Sequence, residues 1–167
     1  MKRIGLISDT HGFFDEKVTK YFESCDEIWH AGDIGNKHVI DKLSAIKPIK
    51  AVYGNIDGVE INSKYPENLF FEIENTKVLI THIGGKPGKY PSRVKKLLTE
   101  LKPDIYMCGH SHMLQIQSDP LFNNLLFINP GAAGNEGFHK TKTIMTFELE
   151  NKKVNNMKVI ELGKRGL

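Results

Sequence analysis

Residues 3–12 read Arg3-Ile4-Gly5-Leu6-Ile7-Ser8-Asp9-Thr10-His11-Gly12, and the architecture of the chain can be worked out from them. The apolar run is short, lacks regular alternation and stops near a glycine, which predicts a strand buried on both faces. Such a strand carries Asp9 and His11 to the edge of a sheet, where both side chains can face one metal ion. A plain turn also accommodates Asp here, so the spacing alone leaves both interpretations open.

Composition and charge are those of an ordinary compact domain. The chain has 167 residues, of which 40% are hydrophobic and 26% are charged. We therefore expect a single domain over residues 1–167. The net charge is only +3, and the basic pairs lie near the C-terminus rather than in a stripe, so nucleic-acid binding is not indicated.

The two cysteines and the apolar segments predict a cytoplasmic location. Cys25 and Cys108 are far apart and form no Cys-x-x-Cys pair, so neither a disulfide framework nor a thiolate zinc site is indicated. The first apolar stretch is too short for a signal peptide, and no stretch is long enough to cross a membrane. We expect no membrane partner.

The first half of the chain alternates short apolar runs with helical patterns. After the first strand, helices are predicted at 15–24 and 37–46, and strands at 27–30 and 49–53. This β-α-β-α-β order favours a parallel sheet.

The second half is predicted to be richer in strands. A hairpin of strands 70–74 and 77–81 turns at Asn75-Thr76, a helix begins at Pro91, and a strand follows at 104–108. The last third shows no helical pattern, and its four short strand candidates predict an antiparallel meander. These candidates are 114–117, 125–128, 143–149 and 154–162. The fold class is therefore α/β, with antiparallel strands added toward the C-terminus.

Five of the predicted strands end at side chains that can bind metal, nearly always beside a glycine. These residues are Asp9, His11, Asp33, Asn55, His82, His110 and His112. In open α/β sheets the site lies beyond the carboxyl ends of the strands, so residues far apart in sequence converge there. The glycines allow the sharp turns and close approach that such a site needs.

The donor set indicates the kind of metal. Imidazoles, carboxylates and an amide, without sulfur, suit Mn²⁺, Fe²⁺, Zn²⁺, Co²⁺ or Ni²⁺ better than they suit a structural zinc site of the thiolate type. Seven ligands are too many for one ion that keeps a water, but they suffice for two ions that share a carboxylate. Such a pair lies roughly 3.5–4 Å apart, activates a water or hydroxide between the ions and holds phosphoryl oxygens. The predicted cofactors are two divalent ions per chain, with Mn²⁺ the first choice.

The ordered series of motifs resembles the calcineurin-like metallophosphoesterase family, and the length resembles its small stand-alone prokaryotic phosphodiesterases. The motifs are Asp9-x-His11, Gly32-Asp33, Gly54-Asn55, His82 and Gly109-His110-Ser111-His112. The resemblance implies that Asp9, His11 and His112 bind one metal. It implies that Asn55, His82 and His110 bind the other, and that Asp33 bridges them. Asp33, Asn55 and His82 are also our candidate catalytic residues.

The resemblance also implies a fold. It is a four-layer α-β-β-α sandwich in which two mixed β-sheets lie between helices, in agreement with the strand prediction. Asn129-Pro130-Gly131-Ala132 resembles a later loop of the family near the site, as a weaker match.

One position departs from the family pattern. Many members carry Gly-Asn-His before an acidic residue, and that His is thought to assist the leaving group or the phosphate; this chain has Ile56 there, followed by Asp57. Loss of a general acid costs on the order of 10²–10⁴ in rate when the leaving group is poor. Small phosphodiesterases of the family also lack that His, so the departure favours a diesterase that cleaves activated diesters faster than alkyl monoesters.

Three functional classes follow from these residues. The first is a dimetal phosphodiesterase acting on a small phosphodiester substrate. The second is a protein-binding scaffold on the same fold, like the retromer subunit that has lost ligands, and the complete ligand set argues against it. The third is a nuclease, for which a chain of this length and charge has little basic surface.

The remaining polar residues receive structural interpretations. His30 is predicted to be a packed strand residue, His38 a solvated helix residue, and His139 a loop residue that could reach a substrate. Lys86, Lys89 and Arg93 could attract an anionic substrate, although a solvated loop is favoured. Cys108 is predicted to be a small buried residue. Exposed strand edges near the C-terminus would support a homodimer.

Overall fold

The computed structural model describes residues 1–167. It contains ten strands, four helices and one 3₁₀ turn. In chain order they are β1 Lys2–Ile7, α1 Lys17–Phe22, β2 Glu27–His30, α2 Lys37–Ile46, β3 Ile49–Ala51, α3 Val59–Asn62, β4 Asn68–Ile73, β5 Thr76–Thr81, α4 Ser92–Leu101, β6 Ile105–Met107, β7 Gln115–Asp119, the 3₁₀ turn Pro120–Phe122, β8 Leu125–Asn129, β9 Thr141–Glu150 and β10 Lys153–Lys164. None of the helices has the length and apolar character needed to cross a bilayer.

The strands form two mixed sheets of five strands each. The first sheet has the order β10-β9-β1-β2-β3, and the second has the order β4-β5-β6-β8-β7. Strands β1, β2 and β3 are mutually parallel, as are β5, β6 and β8. The carboxyl ends of parallel strands open at one edge of a sheet, where a site can be built.

Three separate hydrophobic clusters show that the molecule has four layers. One cluster lies between the first sheet and helices α1 and α2, and includes Ile7, Val18, Phe22 and Leu43. The second lies between the two sheets and is centred on Trp29. The third joins the second sheet to α4. The predicted four-layer α-β-β-α sandwich is therefore confirmed.

Alternation along the central strands explains this layering. Leu6 packs between the sheets while its neighbour Ile7 packs under the helices. Likewise, Ile80 packs between the sheets while Leu79 faces α4. Since successive side chains of a strand point to opposite faces, each such strand must be apolar on both sides. This is why the sequence shows continuous apolar runs rather than alternation of apolar and polar residues.

The predicted elements agree with the structure except for the short helix α3, which was not predicted, and except in the hairpin turn and the last third. The hairpin turns at Glu74 and Asn75, whose φ angles are 51° and 58°, one residue earlier than predicted. The last four strands do not form one meander. Strands β7 and β8 are antiparallel to each other and join the second sheet, where β8 lies parallel to β6. Strands β9 and β10 form a hairpin that joins the first sheet beside β1.

Candidate metal centre

The loops that follow five strands bring all seven predicted ligands to one place. The first sheet supplies Asp9 and His11 after β1, Asp33 after β2 and Asn55 after β3. The second sheet supplies His82 after β5, and His110 and His112 after β6. The site therefore lies where the carboxyl edges of the two sheets meet, as the sequence predicts.

Asp33 lies at the centre of this group. Its Oδ2 is 3.4 Å from Nε2 of His11 and 3.1 Å from Nε2 of His82. Its Oδ1 accepts a hydrogen bond from the backbone N–H of Ile56 at 3.1 Å, and only 2% of the residue is exposed. One carboxylate oxygen thus faces ligands from both sheets, as a bridging role requires.

The first set of donors surrounds Asp9. Its Oδ1 lies 3.9 Å from Nε2 of His11 and 3.2 Å from Nε2 of His112. Its Oδ2 is already occupied, because the hydroxyl of Ser8 donates to it at 2.7 Å and the backbone N–H of His110 at 3.1 Å. Asp9, His11 and His112 form one group whose ligand atoms all lie within 4.8 Å of one another.

The second set of donors consists of Asp33, His82 and His110, with Asn55 beside them. Nδ1 of His82 lies 2.8 Å from the carbonyl oxygen of Ala31. Because a carbonyl only accepts, Nδ1 carries the proton and Nε2 presents its lone pair to the site. Oδ1 of Asn55 lies 3.0 Å from Nδ1 of His110, a separation that two ligands of one ion can adopt.

Three buried atoms provide a test of whether a metal fits here. Oδ1 of Asp9, Nε2 of His11 and Nε2 of His82 have no hydrogen-bond partner. An unpaired buried polar atom costs about 1–3 kcal/mol, and all three atoms point into the same space. A divalent cation would satisfy them together, and the nitrogen and oxygen donors suit ions such as Mn²⁺ or Zn²⁺.

The electrostatics of the group also favour positive charge. Asp33 and Asp9 raise the pKa of His11 to about 10. Burial would raise the pKa of Asp9 and of Asp33, but the adjacent imidazoles outweigh it and hold both values below the ordinary range. The carboxylates therefore stay ionised in the interior and attract a cation.

The candidate ligands are held in an unusual backbone conformation. Five of them have φ between 46° and 69°, the left-handed region that side chains rarely adopt; they are Asp9, His11, Asp33, His110 and His112. Such outliers cluster at functional sites because the surrounding structure holds them in place. Gly32 has φ +99°, and a Cβ there would lie 2.8 Å from the ring of His82, so only glycine fits.

One residue that supports the site was not predicted as such. Asp57 is buried, and its carboxylate accepts hydrogen bonds from the backbone N–H groups of Ile34, Gly35 and Gly54 at 2.8–3.1 Å. It joins the loops that carry Asp33 and Asn55. The pattern of an acidic residue after Gly-Asn-Ile was visible in the sequence, but its backbone partners were not.

Asn129 supports the turn that carries two histidines. Its side-chain amide donates to the carbonyl of Gly109 at 3.1 Å and to the hydroxyl of Ser111 at 3.0 Å. It therefore lies beside the site, as the Asn-Pro-Gly motif indicated, and it acts by holding the backbone around His110.

The other sequence candidates lie outside the ligand group. His30 is fully buried, pairs with the hydroxyl of Thr10 at 3.0 Å, and has its pKa lowered to about 4 by burial. It is the packed residue that the sequence predicts. His38 is exposed on α2. Cys108 is buried with a thiol pKa raised by burial, and His139 lies against His112.

Two clefts of about 300 Å³ each flank the site. Lys86 and Lys89 line the one beside His110. Arg93 lines the other, beside Asn55 and His82, and it also donates to the carbonyl of Ile83 at 2.8 Å. Ile56, next to Asn55, is 47% exposed. Because its side chain is a hydrocarbon, this position has no titratable group.

The chain resembles a known protein family and two curated archaeal proteins. The calcineurin-like phosphoesterase superfamily domain matches residues 1–152. A probable metallophosphoesterase of Methanothermobacter thermautotrophicus is 31% identical, over 77% of this chain and 76% of that protein. Another, from Methanocaldococcus jannaschii, is 30% identical, over 77% and 67%.

Solved structures give the same result at the level of the fold. An archaeal phosphodiesterase has a TM-score of 0.71 at 26% identity, covering 96% of this chain and 99% of that one. Vps29 of Entamoeba histolytica in complex with Zn²⁺ has a TM-score of 0.75, with coverage of 96% and 98%. Its identity is only 17%, so this likeness concerns the fold alone.

Proposed function

The chain belongs to the calcineurin-like phosphoesterase superfamily, and from this premise we propose that it is a phosphodiesterase that requires two divalent metal ions. The observation that carries the proposal is the position of Oδ2 of Asp33, within 3.4 Å of imidazoles from both sheets. One ion would be held by Asp9, His11 and His112, and the other by Asn55, His82 and His110. Asp33 would be shared between them.

The chain's own residues set up the chemistry. The backbone N–H of Ile56 fixes the rotation of the Asp33 carboxylate, and the Ala31 carbonyl fixes the tautomer of His82. When bound, two ions supply a water that ionises near neutral pH and positive charge that neutralises phosphoryl oxygens. Mn²⁺ is our first choice. Ni²⁺, Fe²⁺, Zn²⁺ and Co²⁺ are alternatives, because the donor set does not distinguish among these ions.

The surroundings of the site favour an activated diester as substrate. No side chain at position 56 can protonate a departing alkoxide, so a leaving group that is stable as an anion reacts best. The two clefts flank the site, beside His110 in one case and beside Asn55 and His82 in the other. A phosphodiester has two organic substituents, and each cleft, at about 300 Å³, has room for one of them.

The first experiment is turnover of bis(p-nitrophenyl) phosphate and of p-nitrophenyl phosphate by chelator-treated protein, with Mn²⁺ or Ni²⁺ restored. We expect metal-dependent hydrolysis, with the larger kcat/KM on the diester. Asp33→Asn should abolish it, while Asp41→Asn should not, because Asp41 is an exposed carboxylate on α2. A larger kcat/KM on the monoester would contradict the diesterase assignment.

Two other functions remain as outcomes of this experiment. Folded protein that shows no turnover with any ion would favour a protein-binding scaffold on the same fold. Turnover of small diesters that is independent of salt would separate a phosphodiesterase from a nuclease, because nucleic-acid binding weakens steeply with salt.

The location and assembly of the protein are also proposals. Both cysteines are free and buried, which suits a reducing compartment, and we propose a cytoplasmic enzyme. Strands β4, β7, β3 and β10 form the sheet edges, and pairing of one such edge with a second copy would give a homodimer. Light scattering coupled to size exclusion measures the mass directly.

A further inference from the structure

His139 contacts the candidate metal centre without belonging to its ligand set. Its Nε2 lies 2.8 Å from the carbonyl oxygen of Gly134, and its Nδ1 lies 3.2 Å from Nδ1 of His112. The two rings meet edge to face, with their centroids 5.1 Å apart. Both ring nitrogens of His139 are thus engaged, one by Gly134 and the other by His112, so His139 acts on the site through His112.

The positions of the protons in this pair follow from the partners. A carbonyl oxygen only accepts, so Nε2 of His139 carries a proton and donates it to Gly134. In a neutral ring the other nitrogen is then an acceptor. Nδ1 of His112 must therefore be the donor in the contact between the two rings, which leaves Nε2 of His112 without a proton.

The far side of His112 agrees with this assignment. Nε2 of His112 is 3.2 Å from Oδ1 of Asp9, yet Oδ1 of Asp9 has no hydrogen-bond partner. Two lone pairs at this distance repel each other unless a cation lies between them. His82 shows the same arrangement with a backbone carbonyl in place of a side chain, because its Nδ1 is paired with Ala31.

His139 is itself firmly placed. The guanidinium of Arg165 donates to its carbonyl at 2.8 Å, and the backbone N–H of Gly134 donates to the carbonyl of Asp9 at 3.0 Å. Gly137 has φ +126°, and a Cβ there would collide with the ring of His112. The loop can therefore approach the site this closely only with glycine at that position.

We propose that His139 is a positioning residue that keeps the proton of His112 on Nδ1, so that Nε2 is ready to bind the ion held with Asp9 and His11. This inference rests on the proposed metal site. Outer partners of this kind typically change metal affinity about 10–100-fold when they are removed.

Calorimetric titration with Mn²⁺ tests the proposal on wild type, His139→Ala, His139→Gln and the control His38→Ala, whose histidine is exposed on α2. We expect His139→Ala to lower the affinity for one of the two ions about 10–100-fold and to change the affinity for the other less than about threefold. His139→Gln should restore most of the affinity, since a carboxamide can accept from His112 and donate to Gly134. His38→Ala should behave as wild type.

The tautomer of His112 in the metal-free protein provides a readout that is independent of binding and of activity. Long-range ¹H–¹⁵N spectra should show the proton on Nδ1 in wild type and in His139→Gln, and a shift toward Nε2 in His139→Ala. If wild type binds two ions and His139→Ala leaves both the metal affinity and the tautomer of His112 unchanged, this inference is overturned and the proposed function stands. Wild type that binds no ion would overturn both.

Discussion

At the scale of single residues, the site is defined by where each polar atom finds its partner. Asp9 has one oxygen fully satisfied by Ser8 and His110, and the other oxygen has no partner. His82 has one nitrogen paired with Ala31, and the other nitrogen has none. This division leaves the unpaired atoms aimed at one space.

Ile56 gives a prediction about the leaving group. Because no acid stands at this exposed position, we expect log kcat for aryl phosphodiesters to fall steeply as the pKa of the leaving phenol rises. Ile56→His should flatten this dependence and accelerate diphenyl phosphate about 10-fold, within the range of general acid catalysis. Bis(p-nitrophenyl) phosphate should change less than about threefold. Val59→His is the matched control, since Val59 is also exposed nearby in the chain, and an equal gain there would refute the argument.

Asp57 gives a prediction about stability. Its carboxylate accepts three backbone N–H groups, so Asp57→Ala leaves buried donors without partners. We expect the free energy of unfolding in urea to fall by about 2–4 kcal/mol. The exposed Asp41 is the control, and Asp41→Ala should change stability by less than about 0.5 kcal/mol. Equal effects at the two positions would show that the three hydrogen bonds contribute little.

At the scale of elements, close contact between α1 and β1 depends on a glycine in the middle of the strand. A Cβ on Gly5 would lie 2.7 Å from the ring of Phe22, which is fully buried. Gly5→Ala should therefore destabilise the protein by about 1–3 kcal/mol through overpacking. Gly58→Ala should stay within about 1 kcal/mol of wild type, because a Cβ on Gly58 would meet no atom within 4 Å. Thermal and urea unfolding of both variants measure the difference.

The sequence predicted those elements whose signal is local. The strands that end at Asp9, Asp33 and His82 are short, apolar and followed by turn residues, so both their position and their convergence could be inferred. The pairing of the last four strands could not, because β8 and β9 are equally good strands and only long-range packing assigns them to different sheets.

The contacts around the ligands were missed for a similar reason. His139 stands alone in a loop, and nothing in its neighbourhood of the sequence indicates that Gly134 and His112 lie on either side of it. Asp57 was visible as an acidic residue, but its role depends on three backbone N–H groups, two of which belong to another loop. Supporting residues of this kind follow no spacing rule, because the fold brings them together.

At the scale of the whole molecule, the site lies across the boundary between two sheets. Asp9, His11, Asp33 and Asn55 come from the first sheet, and three histidines come from the second. A bound ion would therefore link the two halves of the sandwich. Binding to the folded chain alone stabilises it by about 2.7 kcal/mol at a ligand concentration of 100 Kd.

We accordingly expect Mn²⁺ to raise Tm, and a chelator to lower it, by roughly 5–10 °C for a chain of this size. Differential scanning calorimetry of chelator-treated and Mn²⁺-loaded protein measures the shift. Asp33→Asn should lose most of it, because both donor groups depend on that carboxylate. A shift of the same size in Asp33→Asn would mean that the ions stabilise the protein at some other place.

The left-handed backbone at five ligand positions has an evolutionary consequence. Each residue in this conformation opposes folding by about 1 kcal/mol or more when its side chain is not glycine or a short polar group. In a lineage that no longer needs the chemistry, substitution of His11, His110 or His112 by asparagine or glycine would remove backbone strain and raise the free energy of unfolding. The architecture can therefore persist without these candidate ligands, and a descendant that has lost them would keep the fold with less backbone strain.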